Sequence, residues 1–335
     1  MAKITSVIAA SHSPYLFEPV TWWNEMYAWR SQKGGYAEDN PIDDAQTNVE
    51  KHARVAAAYD ELATVFQESK PDVVVVFGDD QEEQFDSRNQ PALAVYVGGA
   101  YNGYRTIAYQ GIGRRELKPK TDEHWTRVNS APDLAKSLLQ SLMDQGFDPA
   151  YMTSLPNEDF GMGHAFMRPL EKLTFGRFDI PVVPVLVNGL YPPQPSAARC
   201  VAAAHAIRKA IESWPEHLNV AVLGSGGLWH TPGAKEAYLD EEFDQEILAR
   251  IESGDIDGLA AYFDAWAPPE HRRSLKCFES FNGDTGVRGG IGSGAGEVRN
   301  WIMAAAVADR PAIIVDYVPV YASPCGMGFA YWPMS

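Results

Sequence analysis

Two kinds of hydrophobic pattern alternate along the chain: short runs of consecutive apolar residues, and longer stretches in which apolar residues recur every three or four positions. ITSVIAA (4–10), VVVVF (73–77), ALAVYV (92–97), IPVVPVLV (180–187), LNVAVLG (218–224) and AIIVDYVPV (312–320) have the length and β-branched content of strands. Several have no polar face, as strands covered by helices on both sides do. The helical period runs through TNVEKHARVAAAYDELATVFQES (47–69), PDLAKSLLQSLMDQ (132–145), PSAARCVAAAHAIRKAIES (195–213), DEEFDQEILARIES (240–253) and GEVRNWIMAAAVA (296–308), with Asn48, Asp133 and Ser196 as caps near their starts. This alternation predicts an α/β fold, a single domain over residues 1–335 with a central, largely parallel or mixed sheet flanked by helices. The connections 15–46 and 254–295 are long enough to wall a site. The first is rich in aromatic residues (Tyr15, Trp22, Trp23, Tyr27, Trp29), which are expected chiefly to supply packing.

Composition narrows the function classes. The 335 residues, 45% of them hydrophobic, support a large core, and the formal charge of −16 argues against a nucleic-acid partner or an anionic membrane surface. Cys200, Cys277 and Cys325 are far apart and show no CxxC spacing, so neither a disulfide framework nor a zinc site is indicated. The opening MAKITSVIAASHSP has no long apolar region and no cleavage site, and no run reaches about 18 apolar residues. A soluble, cytoplasmic protein is the expectation.

In open α/β sheets, ligands sit at the carboxyl ends of the strands. Three of the predicted strands end in residues with chemistry. The first runs into SHSP and His12, the second into DDQEE, and the fifth into GSGGLWHTP, where glycines let the backbone approach a ligand before His230. Glu242 stands at the start of a helix, and His164 lies in DFGMGHAFMRPL, a loop leading into another. The four acids Asp79, Asp80, Glu82 and Glu83 around Gln81 repel one another unless they are well hydrated or face a cation.

Taken together these stretches resemble the class III, LigB-type extradiol ring-cleaving dioxygenases, a group that includes the catalytic subunit of protocatechuate 4,5-dioxygenase and the gallate and 3-O-methylgallate enzymes. The resemblance rests on the His12 strand, PDVVVVFGDD, the His164 segment, PVLVNGLYPP, LNVAVLGSGGLWH, the EEFD of 241–244 and GSGAGEVRNW. It implies a non-haem Fe(II) held by two histidines and a glutamate, with positions left open for a catechol-type aromatic acid and O₂. By motif it assigns His12 and Glu242 to the metal, His230 to acid/base work and His164 to contact with substrate or oxygen. A histidine near neutral pKa suits the removal and return of a hydroxyl proton. The resemblance also places Ser293 and Gly294, with Arg288 nearby, at the substrate carboxylate.

The second metal-binding histidine of that family falls at Gln81. Three readings stay open: His52, near the start of the first long helix, takes its place; Gln81 or Glu83 completes the shell, since strand alternation puts Asp79, Gln81 and Glu83 on one side; or no catalytic metal binds. Beside the dioxygenase stand two other functions, a non-catalytic structural partner and a metal-dependent hydrolase or lyase on the same scaffold. Assembly as a homo-oligomer, or with a small separate subunit, is expected.

Overall fold

The computed structural model describes residues 1–32, 35–86, 88–110, 116–189, 193–231, 236–266 and 295–334. Four strands form the parallel heart of its main sheet: β1 (Lys3–Ala10), β2 (Val73–Gly78), β7 (Val182–Val187) and β8 (Asn219–Ser225). Around them lie β3 (Leu93–Tyr96), β6 (Ala150–Met152), β9 (Ile313–Val320) and β10 (Cys325–Trp332), giving the order β6-β3-β7-β2-β8-β1-β10-β9. β3 pairs antiparallel to β7, and β10 pairs antiparallel to β1 and β9, so the sheet is mixed. A second, two-stranded sheet joins β4 (Ala100–Tyr104) to β5 (Trp125–Asn129).

The unbroken apolar runs are explained by the two faces. Val73, Val75 and Phe77 enter a core with helices α3 (Pro132–Asp144), α5 (Ala197–Glu212), α6 (Glu241–Ser253), α7 (Ile256–Trp266) and α8 (Val298–Ala308). Val74 and Val76 enter a second core with α1 (Val20–Ser31), α2 (Ala45–Glu68) and α4 (His164–Leu173). Both sides of β2 are dry, and burial of valines at about 1.5–3 kcal/mol each favours this arrangement over any polar alternation.

Some sequence expectations shift. Asp44, rather than Asn48, caps α2, accepting from the Thr47 N–H at 2.7 Å, while Asn48 is buried and bonds Asn24. Ser196 caps α5 as expected, and α3 begins at Pro132 without a side-chain cap. The 15–46 connection contains α1, whose Trp23 is fully buried against Tyr15. The closing strand β10 and strand β4, rich in Gly and Tyr, and the β5 strand paired with β4, lie outside the apolar runs read as strands in the sequence.

What matters for the site is that β8 lies between β1 and β2. In register, Gly224 of β8 pairs with Ala9 on one side and Phe77 on the other. The residues that follow these strands therefore emerge side by side at one end of the sheet.

A candidate metal centre at the strand ends

His12, Asp79 and Glu297 meet at that end, all buried, with one ligating atom of each within 4.8 Å of the others. His12 follows β1, Asp79 follows β2, and Glu297 precedes α8. α8 reaches the sheet because β8 ends in glycines. A Cβ on Gly224 would meet the Asn300 carbonyl oxygen at 2.6 Å, and one on Gly226 would meet Glu297 Cβ at 2.7 Å. These glycines make room for the helix that carries Glu297, rather than directly for a ligand. Glu297 is then fixed by the Gly227 N–H, which donates to its Oε2 at 2.7 Å, and by Gln81 Nε2, which donates to Oε1 at 2.5 Å.

The tautomer of His12 follows from its neighbours. The Ser225 hydroxyl donates to the Ala165 carbonyl, so toward His12 Nδ1, 3.0 Å away, its oxygen acts as acceptor. Nδ1 therefore carries the proton and Nε2 presents a lone pair, 3.4 Å from Glu297 Oε2. Burial lowers the His12 pKa to about 4 against the raising effect of Glu297, so the ring is neutral at physiological pH. Burial and the Glu297 charge together push the Asp79 carboxyl well above its ordinary value. Burial also opposes the charge on Glu297, but His230 facing it holds that carboxylate ionised.

The structure itself tests whether these residues fit a metal ion. Asp79 Oδ1 is buried and takes no hydrogen bond from the described residues, and the lone pair of His12 Nε2 faces a carboxylate oxygen. Acceptors turned toward one another in a dry site call for a cation among them. The set of one imidazole and two carboxylates fits a divalent ion.

Around this centre lies a cavity of about 420 Å³ whose lining includes His12, Gln81, Glu83, His164, Arg168, His230 and Glu297, with Tyr15, Tyr109 and Phe160 as aromatic walls. His230 is held by strand-like pairing with Cys325 at the start of β10. Its Nδ1 lies 2.9 Å from the Leu228 carbonyl and its Nε2 is 3.2 Å from Glu297 Oε1. Burial works to lower its pKa, yet Glu297, the Leu228 carbonyl and Asp79 outweigh that and raise it to about 9. His164 opens α4 with its ring edge-on to His12, centroids 4.6 Å apart. Glu83 binds it through Nδ1 at 2.6 Å and through the backbone N–H at 3.0 Å.

The acidic burst is thereby sorted. Asp80 turns away from the cavity and accepts the backbone N–H groups of Gln84 and Phe85 at 2.9 and 2.8 Å. Glu82 sits at φ +62°, in the left-handed region, and this turn rather than a continued strand separates Gln81 from Glu83.

Two expected metal residues lie elsewhere. Glu242 is exposed on α6 and does not line the cavity. The buried acid of that helix turn is Asp244, which accepts from the Trp229 N–H at 2.6 Å and the Tyr317 hydroxyl at 2.7 Å and so braces the segment bearing His230. His52 packs edge-on against Trp23, which packs on Tyr15, so a layer of aromatic rings stands between it and the cavity. Ser293, Gly294 and Arg288 lie outside the described residues. Sequence reasoning passed over Asp79 and Glu297 as ligands. The signal for Glu297 was present: α8 is buried at every position, so an acid at its start must also be buried and needs a partner.

A model of the catalytic LigB subunit of aromatic ring-opening dioxygenase matches residues 38–274. That stretch holds Asp79, Gln81, Glu83, His164, Arg168 and His230, while His12 and Glu297 fall outside it. Gallate dioxygenase of Pseudomonas putida is 31% identical over 145 residues, 42% of this chain and 39% of that protein. The 2,3-dihydroxyphenylpropionate/2,3-dihydroxicinnamic acid 1,2-dioxygenase of Escherichia coli is 28% identical over 197 residues, 58% of this chain and 54% of that protein. The chain thus matches only 39% to 54% of the length of these curated relatives. Among solved structures, an uncharacterized protein of Escherichia coli K12 aligns over 97% of this chain and 99% of its own, at 13% identity and a TM-score of 0.47, too distant to add to the picture. No helix among the described residues is long and apolar enough to cross a membrane.

Proposed function

The chain belongs to the family of catalytic LigB subunits of aromatic ring-opening dioxygenases, and from that premise we propose that it is an Fe(II)-dependent extradiol dioxygenase acting on a catechol-type aromatic acid. The observation that carries this reading is the convergence of His12, Asp79 and Glu297, the first and last of which line an aromatic-walled cavity. These residues, rather than His52 or Glu242, would hold the iron. Bound there, Fe(II) supplies a redox-active Lewis acid at which a catechol and O₂ can be brought together.

The remaining roles belong to the chain's own groups. Gln81 and the Gly227 N–H fix the plane of the Glu297 carboxylate, and Ser225 fixes the His12 tautomer. His230 lines the cavity with Nδ1 anchored on Leu228 and Nε2 beside Glu297 Oε1, the placement of a group that exchanges a proton with a substrate hydroxyl. His164, oriented through Nδ1 by Glu83, lines the same space from the opposite element. Tyr109 and Phe160, 6.1 Å apart, offer faces against which a substrate ring can lie.

Anaerobic reconstitution with Fe(II), followed by oxygen-electrode measurements on a panel of catechols, tests the reading. Oxygen consumption matched by loss of the aromatic absorbance is expected. Product formed without oxygen consumption would assign a hydrolase or lyase instead, and a protein that retains no iron and consumes no oxygen would point to a structural partner.

A further inference from the structure

Among the described residues that line the cavity, Arg168 is the one lysine or arginine. It lies one helical turn after His164 on α4, so both side chains leave the same face of that helix. Its Nε donates to the Thr106 carbonyl at 3.2 Å, and its Nη1 donates to the His12 carbonyl at 3.1 Å. Both partners are neutral. Among the described residues Arg168 makes no ion pair, and Nη2 donates to none of them.

The acids of the cavity are already engaged. Glu83 is bound by His164, and Glu297 by Gln81, the Gly227 N–H and His230. Burial opposes the Arg168 charge and outweighs the carboxylates of Glu83, Glu297 and Glu18, which favour it without pairing with it, so a guanidinium with donors to spare is completed by an arriving anion. Its planar fork matches a carboxylate in particular. The cavity it lines has aromatic walls, so the anion that fits is one carried on a ring.

We infer that Arg168 receives the anionic substituent of the substrate, which makes the cavity selective for aromatic carboxylates over their neutral counterparts. This rests on the reading of the cavity as the substrate site. It supplies a recognition element on α4, in place of the Ser293 and Gly294 that the sequence suggested.

The test uses two matched pairs of probes, 4-hydroxybenzoate with 4-hydroxybenzamide and 3,4-dihydroxybenzoate with its amide. Binding to the iron-loaded protein is measured anaerobically by titration calorimetry. The wild-type protein is expected to favour each acid over its amide by about ten- to a hundredfold, the range of a charge-assisted pair. Arg168→Gln should bring that ratio close to unity while leaving amide affinity within about threefold, and Arg168→Lys should keep part of it. A clamp that merely holds the His12 loop would weaken acid and amide alike, and an unchanged ratio in Arg168→Gln would overturn the inference, as would a wild-type ratio near unity. Should Arg168→Gln fail to fold by circular dichroism, the Arg168→Lys ratio and its dependence on ionic strength decide, and insensitivity to both overturns it. 4-Hydroxybenzoate lacks the second hydroxyl. A preserved acid preference without oxygen uptake on any catechol would therefore sink the dioxygenase reading and leave the anion site standing.

Discussion

The Glu83 carboxylate grips His164 twice, with Oε1 2.6 Å from the ring Nδ1 and Oε2 accepting the residue's own backbone N–H at 3.0 Å. The acid thus sets both the ring orientation and the start of α4, and Glu83 stays ionised because His164 and Arg168 offset the opposing effect of burial. Glu83→Gln keeps the shape and removes the charge. It is expected to lower kcat by about ten- to a hundredfold, the usual effect of losing a partner that orients a functional imidazole, with iron content unchanged by elemental analysis. Loss of iron in this variant would mean that Glu83 serves the metal instead.

Metal retention separates the residues brought together from those left apart. Asp79→Asn and Glu297→Gln are expected to lose most bound iron after gel filtration, whereas His52→Ala and Glu242→Ala should retain it. The same contrast should appear in thermal unfolding, where Fe(II) raises the midpoint of the wild-type protein and of His52→Ala but not of Asp79→Asn.

Asp244 accepts from the Trp229 N–H and the Tyr317 hydroxyl in a fully buried position. Asp244→Ala strands both donors, and a loss of about 2–5 kcal/mol is expected in urea unfolding. Because Trp229 precedes His230, activity should fall further than stability alone explains. Tyr317→Phe, which removes a single donor, should cost about 1 kcal/mol.

Cys200 gives a pH signature remote from the site. Burial raises its thiol to about 12, against the lowering influence of Arg299. The folded state holds this proton more tightly than the unfolded chain, whose thiols titrate near 8.5. The thiol's contribution is therefore complete below about pH 8.5 and declines as pH rises toward 12, by about 1.4 kcal/mol per unit. Urea midpoints at pH 8, 9 and 10 should fall more steeply in the wild-type protein than in Cys200→Ala. Equal slopes would contradict the buried assignment.

Much of this molecule is fixed by local chemistry that the sequence displays. Apolar runs without a polar face dictated strands covered on both sides, as Val73–Gly78 is, and helical periods located α2, α3, α5, α6 and α8 within a few residues. The rule that ligands gather at the carboxyl ends of such strands was enough to single out His12, Gln81 and His230, all of which line one cavity. Two helices, however, begin with an acid and look alike in sequence, Glu242 in α6 and Glu297 before α8. Only tertiary structure chose between them. Gly224 and Gly226 let α8 press against β8 and bring Glu297 to His12, while Glu242 faces solvent and its neighbour Asp244 turns inward to brace the His230 segment. Convergence of carboxylates from distant positions depends on how closely backbones approach one another, and no periodicity along the chain records that distance.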